Sequence, residues 1–124
     1  MYRYGYALEK FSRAAYSLAT GEDEIRLRLL SVFQDDLLCI TPEHLPPQLR
    51  EDYRWIKQQV TKYDQKYRGY SKHFESSDGR YGHLMLTKLE ATLYRIRRAT
   101  GAKLARKLFE IWTVLDEESR ARSM

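Results

Sequence analysis

The chain has a single cysteine, Cys39, so no internal disulfide can staple it, and this usage fits a reducing compartment. Its neighbours Leu37, Leu38 and Ile40 predict a buried thiol that serves packing rather than a nucleophile. Long apolar runs are missing as well. None approaches the roughly 18 residues that a membrane span requires, and Met1-Tyr2-Arg3-Tyr4-Gly5-Tyr6 lacks the apolar stretch of a signal peptide. Together these absences predict a cytoplasmic protein that does not engage a membrane. No segment alternates strictly between apolar and polar residues, so none calls for a strand. Histidine is scarce: His44, His73 and His83 stand without the i, i+4 or CxxC spacing of a metal site, which leaves them as surface or capping residues. The carboxylate clusters Asp35-Asp36 and Asp116-Glu117-Glu118 lack a partner histidine or a glycine-rich phosphate loop. No catalytic residue, cofactor or metal is therefore assigned, and an enzyme is the third-ranked reading.

What the chain has is helical periodicity. At 124 residues it fits one domain, and apolar positions recur at 3.6-residue spacing almost throughout. The expected fold is all-α, a single bundle of four or five helices with a long loop between helices three and four. Helix one spans about 3–19, with Tyr4, Leu8, Phe11, Ala15 and Leu18 inward, and ends at Thr20-Gly21, where glycine tolerates positive φ. Helix two opens on Glu22-Asp23-Glu24, placed to complement the helix dipole, and buries Ile25, Leu29, Val32 and Phe33. Pro42 allows a short helical piece, and Pro47 starts helix three, with the seam Leu49, Tyr53, Ile56, Val60, Tyr63, Tyr67 and the helix itself expected as far as Val60. Residues 64–82 have the composition of a loop. Helix four begins near His83 and carries Leu86, Leu89, Leu93 and Ile96; a turn at Thr100-Gly101 leads to helix five, with Leu104, Leu108, Ile111 and Leu115. The triplet Ala-Thr-Gly occurs both at 19–21 and at 99–101.

Leu18-Ala19-Thr20-Gly21 with Ile25-Arg26-Leu27-Arg28-Leu29, then Leu45-Pro46-Pro47-Gln48-Leu49-Arg50 and Ala102-Lys103-Leu104-Ala105, resemble stretches of small bacterial helical proteins of uncharacterised function. The resemblance covers the helical scaffold and misses the loop. It implies a bacterial cytosolic helical protein and transfers no active site. Arg80-Tyr81-Gly82-His83 does not match helical-bundle ribonucleases of the HEPN class, which space Arg and His by several residues along a helix.

Charge is divided unevenly. Residues 1–61 hold 8 Lys/Arg against 9 Asp/Glu, and residues 62–124 hold 14 against 8, so the whole excess of +5 lies in the second half. Such asymmetry is an argument about partners, not about fold. The candidate anion or nucleic-acid patch comprises Arg68, Arg80, Arg95, Arg98, Lys103, Arg106 and Lys107, with Tyr67 and Tyr81 as stacking rings. Helical phasing groups Arg95, Arg98 and Ala102 and puts Arg97 elsewhere. Lys62, Tyr63, Lys66, Tyr70, Lys72, His73 and Phe74 extend the interleaving of cations and rings. The competing reading is a solvated face. The leading function is a non-enzymatic interaction module that binds a protein partner or itself, with Trp55 and Tyr63 as rings exposed for dimerisation. The second is an accessory protein that binds RNA or single-stranded DNA.

Overall fold

The structure, a computed structural model, describes residues 2–63 and 88–122. Every regular element among them is helical. The elements are α1 (Gly5–Thr20), α2 (Ile25–Asp35), a 3₁₀ turn (Pro42–His44), α3 (Pro47–Val60), helical residues 88–93 and α4 (Arg98–Arg122). Among the described residues no helix is long and apolar enough to cross a membrane. The expected loop 64–82, and the expected start of helix four at His83, lie outside them.

The four long helices are amphipathic, and α4 packs against all three others, so their apolar stripes meet in one cluster. From α1 come Ala7, Phe11, Ala14 and Leu18; from α2 Leu29, Val32 and Phe33; from α3 Leu49, Tyr53, Ile56 and Val60; from α4 Leu104, Leu108, Ile111 and Leu115. The α3 seam is the one its spacing predicts, and Pro47 occupies the start of the helix. On α1 the buried stripe is centred on Ala7 and Ala14, with Tyr4 and Leu8 only half-buried. Tyr53 stacks edge-on against Phe11 with centroids 5.6 Å apart, and its buried hydroxyl donates to the carbonyls of Leu37 and Ile40 at 3.2 and 3.0 Å. Burial pushes this phenol well above the usual tyrosine range.

Four local expectations are corrected. Cys39 is exposed, because the connection after α2 turns Leu37 and Ile40 inward and leaves the thiol between them outside. The acidic run precedes α2 instead of forming its first turn, and Glu24 is the cap residue. Gly21 has φ −64°, an extended conformation open to any residue, so positive φ is not why glycine stands there. The reason is space: a Cβ would lie 2.8 Å from Arg28 Cγ and 2.9 Å from the Ser17 carbonyl oxygen. Arg28 crosses this glycine to donate to the carbonyls of Leu18 and Asp23, closing the end of α1.

The fourth correction concerns the basic stretch. The chain turns at Tyr94–Arg97, and Gly101 lies inside the first turns of α4. Arg26 enforces this by donating from Nη1 to the Ile96 carbonyl at 2.8 Å while its other nitrogens engage the Glu24 carboxylate. Its stem runs over Gly101, where a Cβ would sit 3.2 Å from Arg26 Cγ and 3.4 Å from Ile25 Cγ2. The glycine is buried contact surface with α2, which offsets its helix cost of about 1 kcal/mol. Thr100-Gly101 resembles a turn only while α2 is ignored.

Candidate functional site

The break at Tyr94–Arg97 changes which cations share a side. In a continuous helix Arg95 and Arg97 would diverge, but in the turn both line one cavity of about 250 Å3. Gln59 from the last turn of α3, Lys62 and Tyr63 just beyond its end, Ile96 from the turn and Thr100 from the first turn of α4 complete its wall. Tyr63 is anchored from below. The buried Thr92 hydroxyl accepts its backbone N–H at 3.0 Å and lies 3.5 Å from its carbonyl. Lys62 Nζ and the Arg95 guanidinium carbon then stand 5.7 and 5.4 Å from the Tyr63 ring centroid. None of the described residues lining the cavity carries a carboxylate.

The basic surface continues along α3 and α4. Trp55 and Gln59 share a face of α3 at i, i+4, while Thr100, Lys103 and Lys107 share a face of α4 at i, i+3, i+7. Lys103 and Lys107 place their ammonium groups 5.6 and 5.3 Å from the Trp55 ring. This explains why lysines occupy the early turns of a helix whose dipole opposes them: the indole across the groove attracts both. Trp55 and Tyr63 are thus half-buried rings faced by cations, not the bare apolar area expected of a dimer contact.

The predicted patch separates into three groups. Arg95, Lys103 and Lys107 face the α3–α4 groove. Arg98 turns toward the α1–α2 junction, its Nε 3.9 Å from Glu24 Oε1, and Arg106 is exposed on α4. Arg68, Arg80, Tyr67 and Tyr81 lie outside the described residues. The structure adds Trp55, Gln59, Arg97 and Thr100, and promotes Lys62 and Tyr63. The only signal for Trp55 was its position off the main seam of α3; the lysines that face it come from another helix.

A second cavity, of about 410 Å3, is bordered by Tyr4, Pro46, Pro47, Gln48, Glu118, Ala121 and Arg122. Its carboxylate is already engaged: Glu118 accepts from the Tyr2 hydroxyl at 2.8 Å and from Gln48 Nε2 at 2.6 Å. Loss of water, and then the hydrogen bond to Glu118, push the Tyr2 phenol above its ordinary range. The cluster ties the N-terminal residues to α3 and α4. His44 is likewise structural, accepting the Thr41 N–H on Nδ1 at 3.0 Å and packing 5.1 Å from the Tyr6 ring. No group of three or more His, Cys, Asp or Glu suited to a metal occurs among the described residues. Compared with known proteins, the chain matches no family model, no curated protein and no solved structure.

Proposed function

We propose that this chain is a non-enzymatic interaction module whose α3–α4 groove binds single-stranded nucleic acid. The observation that carries the reading is the pairing of lysines with half-buried rings, Lys103 and Lys107 facing Trp55 and Lys62 facing Tyr63. A solvated face made for solubility gains nothing from gathering like charges around a ring. A polyanion with flat bases gains twice, because cations follow its phosphates while aromatic faces stack its bases at about 1–3 kcal/mol each. The lysines now over Trp55 and Tyr63 are on four-carbon stems and can move to phosphates as bases take the rings. Stacking and charge recruit a single strand, whereas a duplex hides its base faces.

Fluorescence anisotropy with a labelled oligonucleotide tests the reading. Affinity should fall with salt at a slope of about 0.7 per phosphate contact. Replacing Lys103 and Lys107 by Gln removes charge, and replacing Trp55 and Tyr63 by Leu removes stacking at constant charge. A single-strand site loses affinity in both double variants. Loss in the first alone indicates a merely cationic surface, and absence of binding by the parent at moderate salt contradicts the reading.

A further inference from the structure

Besides Tyr63, two neutral polar side chains line the cavity at the turn: Gln59 from α3 and Thr100 from α4. Neither side chain makes a hydrogen bond with another described residue. Gln59 is half-buried in the last turn of α3, one helical turn beyond Trp55 and on the same face. Its amide thus borders the space beside Tyr63 and points along the face that carries the indole. The cations of the groove have a use in the phosphates of a strand, which they attract without regard to sequence. An uncharged amide adds little to that attraction. What it offers instead is a donor and an acceptor side by side, the pattern by which a base edge is read.

We infer that Gln59 gives the groove a base preference, and that the preferred base is adenine. This rests on the single-strand reading and goes beyond it by adding sequence to what stacking and charge recruit. With a base stacked on Tyr63, the Gln59 amide oxygen accepts from the adenine N6 amino group while its nitrogen donates to N7 or N1. Adenine shows one donor beside one acceptor on both edges that a single strand exposes. Guanine shows two acceptors on its N7 and O6 edge, and cytosine and thymine each match an amide on one edge only. Adenine therefore meets the amide whichever way it lies on the ring. The Thr100 hydroxyl both donates and accepts, so it fits any base and does not select.

The test uses the full chain and labelled hexanucleotides of adenine, cytosine or thymine alone, with a fourth that alternates guanine and thymine. The parent should bind the adenine strand about five-fold or more tighter than the cytosine and thymine strands. Gln59→Leu removes the amide at nearly constant size and constant charge, and should bring that ratio close to one. Comparing the ratio between parent and variant cancels the strands' own stacking. Replacing Lys103 and Lys107 by Gln should weaken every strand and leave the ratio standing. Circular dichroism of both variants should match the parent. Equal affinity for the four strands, or an adenine preference that survives in Gln59→Leu, overturns the inference and leaves the single-strand reading intact. Tightest binding of the guanine strand does the same, because it assigns base reading to the cations. Absence of binding by all four strands overturns both.

Discussion

At the α1–α2 junction, Arg26 and Arg28 reach backbone carbonyls, and Arg26 also holds the Glu24 carboxylate, with side chains only 25% and 28% exposed for that pair. On the other side of the turn Tyr94–Arg97, Lys62, Arg95 and Arg97 border an open cavity, and Lys103 and Lys107 face an indole. Ile96 belongs to both regions: its carbonyl receives Arg26, and the residue lines the cavity. The difference teaches that positive charge in this chain has two uses. Arginines of α2 close helix ends and set the turn, so removing them costs stability. Cations of the groove make weak contacts with rings, so removing them should cost binding.

The largest effect that can break this comparison lies under the junction. Leu29 is fully buried against α4 near Gly101, and Leu29→Ala should lower stability by about 2–5 kcal/mol, read from denaturant unfolding. A loss below 1 kcal/mol would mean that α2 does not set the start of α4. Arg26→Ala should also lower the unfolding midpoint, by less than Leu29→Ala, since it frees both a carbonyl and a carboxylate that had charge-assisted partners. Its pH dependence has a definite sign. The guanidinium beside Glu24 holds that carboxyl below the ordinary glutamate range. The carboxylate's share of the stabilisation is therefore complete above that range and is lost as pH falls from it through the lowered value, so the gap between parent and Arg26→Ala should narrow in acid to what the Ile96 carbonyl contributes.

The two Ala-Thr-Gly triplets sharpen the comparison at smaller magnitude. Gly21→Ala should destabilise by about 1 kcal/mol or more, because its Cβ meets the fixed Ser17 carbonyl as well as Arg28. Gly101→Ala should cost less, since Arg26 Cγ can give way and alanine returns up to about 1 kcal/mol of helix propensity. The reverse order in thermal melts would show that the turn at Tyr94–Arg97 is not held by Arg26. Smallest in stability are Lys103→Ala and Lys107→Ala, about 0.5–1 kcal/mol each as partly exposed cation–π contacts. Their effect should appear in oligonucleotide affinity instead.

The α3 seam was legible in the sequence because Leu49, Tyr53, Ile56 and Val60 meet a helical period with no competing signal. The start of α4 was not. Nothing between Tyr94 and Arg97 is glycine or proline; the chain turns there because Arg26, seventy positions away, takes the Ile96 carbonyl. That displacement is also why Arg97 was separated from Arg95 by helical phasing although both border one cavity. Lys62, Tyr63, Lys103 and Lys107 could be found from composition, but the pairing of two lysines with Trp55 requires α3 and α4 to be side by side. Local chemistry identified the cations, and tertiary packing decides which of them face the groove.

The claim that the groove carries the binding can be read from one fluorophore. The second indole, Trp112, donates to Ser12 Oγ at 3.0 Å between α4 and α1, away from the lysines that face Trp55. In a Trp112→Phe variant all indole emission comes from Trp55, and it can be followed as a short single strand is titrated at moderate salt. A strand that stacks in the α3–α4 groove quenches this emission saturably, with the midpoint found by anisotropy. Anisotropy that rises while Trp55 emission stays constant would place the binding elsewhere and contradict the account.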